Sequence, residues 1–136
     1  MIAGSHNRSP ECRMSRHAFG KNIAPYVRAQ IQLSQRARKV GDAAAEFFHL
    51  ENAHVLGQSS THWHTRVHVM MLGWALRHGN VREAVGQLLR IIGAALLTWC
   101  GWVPEGNTGG SNVSAFQSMP VSQEHREIIG RARLTD

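Results

Sequence analysis

The sequence predicts an all-α domain: four main helices in antiparallel hairpins, a short C-terminal helix, and a long ordered loop rich in Gly, Asn and Pro before that last helix. Three observations carry this. Apolar residues recur at three- and four-residue steps through most of the chain, the period of a helix with one buried face. Gly41-Asp42 joins two such stretches, the glycine suiting the left-handed end of one helix and the aspartate capping the next. Arg77-His78-Gly79-Asn80 puts cations and a glycine where another helix should end. With 136 residues, the chain suits one domain with a real core.

Residues 1–13 are polar, contain Pro10 and have no periodicity, so they read as a disordered leader, with Met14 as an alternative start and 14–136 as the helical domain. From about Ser15, Phe19, Ile23, Tyr26, Gln30, Leu33, Ala37 and Val40 trace the buried face of helix one, with Pro25 near its start or kinking it. Helix two runs to about Leu56, with Phe47, Leu50 and His54 on one side. Ser60 or Thr61 can cap helix three. Helix four, from Val81 to about Cys100, is expected to bury Val81, Val85, Leu88, Ile92, Ala95, Leu96 and Trp99 and to expose Glu83, Gln87 and Arg90, and Gly86 and Gly93 inside it suggest close helix contact. Residues 101–122 form the loop, packed by Trp102, Val113 and Phe116. Its Gly106–Asn112 stretch has the makings of an anion nest but lacks the lysine and the strand and helix context of a nucleotide loop. Ser122 can cap the last helix, Gln123 to about Ala132.

The formal charge of +6 is uneven. Residues 1–40 hold eight Lys/Arg against Glu11 alone, and the remainder seven against eight acids, so the balances are +7 and −1. The basic face of helix one has no interleaved aromatic residues to stack on bases, which disfavours nucleic-acid binding. The longest apolar run, Ile91–Val103, is shorter than the ~20 residues of a bilayer span, so no membrane role is expected. The N-terminus has no apolar signal region, and Cys12 and Cys100 sit far apart in dissimilar settings. A cytoplasmic protein is the expectation.

Five of the nine histidines fall between Glu51 and His78. At roughly 100° per residue, His64, His68, Met71, Ala75 and His78 share one stripe of helix three. Glu51 and His54 lie a turn apart on helix two, and the short turn Gly57-Gln58-Ser59-Ser60 can bring them against His64 and His68. Neutral imidazole and carboxylate are ordinary ligands for zinc, nickel, cobalt, manganese or iron, and i, i+4 histidines can chelate one ion. The candidate metal ligands are therefore Glu51, His54, His64 and His68, with Met71 and His78 as additional candidates. The alternative is a hydrogen-bonded Glu–His network inside a helical interaction module whose partner is another protein or a second copy. His62, about 160° round the helix from His64, should be exposed. Glu46 and His49 repeat the i, i+3 spacing on another face, as a decoy or a second weak site. His-Glu-x-x-His, a thiolate zinc pattern, paired di-iron helices and serine nucleophile motifs are all missing, so catalysis is not predicted.

The phrases HLENAHVLGQSSTHWHTRVHVMML, GQLLRIIGAA and VPEGNTGGSNVSAF resemble a bacterial family known as domain of unknown function 3703, over nearly the whole chain beyond the leader. The resemblance implies no activity. It does imply a genomic setting near heavy-metal resistance determinants, and a glutamate in relatives at the position of Gln30.

Overall fold

The structure, a computed structural model, describes residues 10–98, 106–114 and 118–134. Among them are five α-helices and no strand: α1 Pro10–Lys39, α2 Ala43–Gly57, α3 Thr61–Arg77, α4 Val81–Gly93 and α5 Gln123–Leu134. A π-helical stretch, Ala94–Thr98, continues α4. The all-α architecture of four main helices and a short fifth is as the periodicity predicts. The helix begins at Pro10, so residues 10–13 of the expected leader are helical. The rest of that leader, and Trp99, Cys100, Trp102 and Phe116, lie outside the described residues.

Helix boundaries follow local chemistry. Gly41 and Gly79 take the left-handed conformation at φ 77° and 63°. The Asp42 side chain then accepts from the Ala45 amide at 2.9 Å, and Asn80 accepts from Glu83 N–H at 3.0 Å. Ser122 caps α5 in the same way, accepting from His125 N–H at 3.2 Å. Ser60 occupies the cap position of α3 without a side-chain cap bond.

Successive helices pack as neighbours from α1 to α4, and α5 returns to α1 and α2. The apolar core is built by α1, α2, α3 and α5, from Phe19, Ile23, Val27, Ile31, Leu50, Leu56, Trp63, Val67, Met71 and Ile129. Trp63, buried, donates from its indole to the Gly20 carbonyl at 2.9 Å, and half-buried Trp74 donates to the Ala43 carbonyl at 3.0 Å, so both large rings pack with their polar edge satisfied. No described helix is long and apolar enough to cross a membrane.

Two faces differ from the sequence expectation. On α1 the buried line after Ile23 runs through Val27, Ile31 and Ser34, leaving Tyr26, Leu33 and Val40 exposed. The β-branched and small side chains let α2 approach closely, and the larger ones turn to the rim. On α4 the expected face is reversed: Glu83 and Gln87 are buried, while Val81, Val85, Leu88, Ile92 and Leu96 are exposed. The polar face points inward because it finds hydrogen-bond partners there. Close approach at Gly86 is to the loop, since an added Cβ there would lie 2.6 Å from Ser111 Cβ.

The tightest helix contact yields a test. A Cβ at Gly57 would stand 2.8 Å from Trp63 Cβ and 3.4 Å from Val27 Cγ2, whereas one at Gly130 meets nothing within 4 Å. In urea denaturation, Gly57→Ala should lower stability by about 1–3 kcal/mol. Gly130→Ala, inside α5, should leave it unchanged or raise it by up to about 1 kcal/mol.

Candidate metal centre

Three histidines meet where α2 ends and α3 begins. His54 comes from the last turn of α2, and His64 and His68 lie one turn apart on α3. All three are buried, and one ligand nitrogen of each lies within 4.8 Å of the others. Their ring centroids are 4.6–4.9 Å apart. The pairing of α2 with α3 around Leu50, Ala53, Val67 and Met71 makes this convergence a by-product of core burial.

Hydrogen bonds fix the tautomers of two rings. His54 Nδ1 lies 2.7 Å from the Asn107 carbonyl, which can only accept, so Nδ1 carries the proton. His68 Nδ1 lies 2.6 Å from Gln87 Oε1. The orientation of that amide is settled by its other end, where Gln87 Nε2 donates to Glu83 Oε1 at 2.6 Å and to the Gly109 carbonyl at 2.7 Å, both acceptors. His68 Nδ1 is therefore also the protonated nitrogen. What remains on each neutral ring is a bare Nε2, and the two face each other at 3.1 Å.

Burial lowers all three histidines. It is the largest cause for each, with neighbouring histidine charge adding to it at His54 and His64: His64 falls to about 3, His68 to about 4 despite the bond it donates to Gln87, and His54 well below 6.5. At neutral pH the cluster is uncharged and carries lone pairs.

Loop residues 106–114 form the outer wall, a role for which the sequence reading had no signal beyond the Gly and Asn content. Gly109, at φ 86°, lies so close to His54 that an added Cβ would stand 2.8 Å from the ring. Asn107 braces this turn, accepting from Gly109 N–H at 3.0 Å and donating to the Ser114 carbonyl at 2.7 Å. Buried Glu83 takes the Ser111 amide and hydroxyl, and Arg90 donates to the Val113 carbonyl. Glu83 and Gln87, four residues apart on α4, are the site residues that sequence reasoning left at the surface.

The other sequence candidates make contacts of their own. Glu51 is hydrogen-bonded to the Thr108 side chain, and burial raises its carboxyl. Met71 is fully buried in the apolar core. His78 is exposed at the end of α3, donating to the Trp74 carbonyl at 2.8 Å and lying against that indole. Glu46 is ion-paired to Arg77, and His49 shares a hydrogen bond with Gln30 at 2.9 Å, so that second pair is occupied structurally. His62 is exposed, as its helix position predicts.

The lowered histidines set a pH dependence for the metal-free protein. Each ring binds its proton more weakly folded than unfolded, so stability is full above pH 6.5 and is lost as pH falls toward about 4 and 3. Thermal melts in chelator should be flat above that point, then decline by up to about 1.4 kcal/mol per pH unit per titrating histidine. His64→Gln should make the decline shallower. Gly109→Ala should lower stability by roughly 1–3 kcal/mol at neutral pH, since the left-handed backbone and the His54 ring both oppose the new methyl.

Neither the curated proteins nor the solved structures contain a match to this chain. A family model does match, over residues 21–129, and its description is a protein of unknown function (DUF3703).

Proposed function

The chain belongs to that family, whose description assigns no activity, and we propose from its own side chains that it binds a divalent transition-metal ion between α2 and α3. The observation that carries this is the 3.1 Å separation of His54 Nε2 and His68 Nε2, two atoms that both present lone pairs. Lone pairs at that distance repel unless a cation lies between them. Two nitrogens held at about 2.0–2.1 Å from one ion, with about 90–110° at the metal, lie about 2.9–3.4 Å apart. The observed spacing falls inside that span.

A shared proton is the rival cation. It would create an imidazolium where burial holds His68 to about 4 and His54 well below 6.5, so near neutral pH it is the poorer occupant. The surroundings also follow the usual pattern of ligating histidines, whose second nitrogen donates to a backbone carbonyl or to a side chain that is itself oriented. His54 has the Asn107 carbonyl, and His68 has Gln87 backed by Glu83.

His64, whose ring centroid lies 4.7 Å from that of His54 and 4.9 Å from that of His68, would be the third ligand. Neutral imidazoles without a thiolate suit zinc, nickel, cobalt or iron(II), and manganese less well. Three protein ligands leave a further position for water or an added ligand. Glu51 would reach it only by giving up Thr108, so its place in this reading is to hold the loop over the site. Binding is the function concluded, with no turnover assigned.

Elemental analysis of the purified protein and zinc, cobalt and nickel titration of the chelated form test the reading. About one ion per chain is expected, with affinity falling as pH drops through ~6.5. His54→Ala, His64→Ala and His68→Ala should each remove most of the binding, while His62→Ala leaves it intact. Gln87→Leu should weaken it about 10–100-fold through loss of the His68 orientation. Absence of uptake at micromolar metal by a folded wild-type chain would refute the site.

A further inference from the structure

α4 turns its apolar side to solvent. Val81, Val85, Leu88, Ile92 and Leu96 follow one another at steps of four, three, four and four, and each is more than half exposed, from 54% at Leu88 to 73% at Val81. Leu89, beside them, is 66% exposed. Those steps are the spacing by which one helix presents a seam to another. Together the six side chains offer on the order of 700 Å², above the largest apolar patch of a typical monomer and close to what each partner contributes to a standard-size interface.

Charge selects the occupant. Arg82 is exposed at the start of α4 and Arg77 just before it, while the Arg90 guanidinium is drawn to the Val113 carbonyl of the loop. From Val85 to Leu96 the stripe itself has no charged side chain, so an acidic partner would find little to recognise along most of it. A second copy brings a matching apolar seam. With the two α4 helices antiparallel about Leu88, the two Arg82 residues would stand about 18 Å apart along the axis, beyond the ~8 Å screening length at physiological salt. Parallel pairing would set them side by side. We infer that two copies of this chain pair through the exposed face of α4, antiparallel about a twofold axis near Leu88 and Leu89. The inference rests on the outer face of α4 and is independent of metal at the histidines.

The test is the mass in solution, by light scattering and sedimentation at tens of micromolar, of the wild-type chain and of the Leu88→Glu/Ile92→Glu variant. The wild type should be a dimer, and the variant a monomer that keeps its far-UV helical signal. In a chain with Cys12 and Cys100 replaced by serine, Leu88→Cys should oxidise to a linked dimer and Val81→Cys should not. That pair decides the matter if the glutamates prevent folding. A monomeric wild type, as when the chain's own residues cover the stripe, overturns the inference. So does a dimer that survives the double glutamate variant, or linkage at Val81 in place of Leu88.

Discussion

The amide of Gln87 is the interaction on which the site depends. It is completely buried, and both of its N–H donors and its oxygen are engaged: Oε1 toward His68, and Nε2 toward Glu83 and Gly109. One side chain thereby ties α3, α4 and the glycine loop together and fixes which nitrogen of His68 is free. A buried amide that lost any of these partners would keep its desolvation penalty without compensation, about 1–3 kcal/mol for each orphaned group. The constraint is strict because no water-exposed alternative exists for Gln87 while α4 stays in place.

This explains why α4 lies as it does. Apolar burial holds α1, α2, α3 and α5 against one another, whereas α4 is attached mainly by Gln87, Glu83, the Arg90 contact and small Ala94. Directional bonds of this kind give modest net stabilisation each but are satisfied in only one arrangement. The helix is therefore positioned precisely enough to orient a histidine, and its apolar stripe is left facing solvent.

Much of the fold was legible in the sequence because it depends on local chemistry. Asp42 and the glycines at 41 and 79 mark their helix ends by rules that need no knowledge of the tertiary structure. The meeting of His54 with His64 and His68 was legible too, since helical spacing and a short turn leave few ways to bury Leu50 and Met71 together. The orientation of α4 was not. Its pattern is as clean as that of any amphipathic helix, and pattern alone assigns the apolar side to the core. What reverses it is a pair of polar partners, Gly109 for Gln87 and Ser111 for Glu83, that lie more than twenty residues away and act largely through backbone atoms, which carry no residue signature. The contact of Glu51 with Thr108 was not legible for a similar reason: a loop's path cannot be read from helical periodicity.

The same geometry leaves a lone-pair contact unrelieved inside the fold. Asn107 and Gln87 hold two Nε2 lone pairs at 3.1 Å in a site where protonation is opposed by burial, so neither ring can relieve the repulsion by taking up a proton near neutral pH. Rotating a ring away would break a buried bond from Nδ1, and moving the loop would disturb the close fit of Gly109 on His54. The repulsion is retained because the surrounding bonds outweigh it. If the proposed ion binds, a site held in this way would need little reorganisation to take it, and relief of the lone-pair contact would add to the binding energy. Any ion that binds the folded chain and not the unfolded one then stabilises the fold by mass action, and through Gln87 that stabilisation reaches α4, the helix with the least apolar hold on the rest of the molecule.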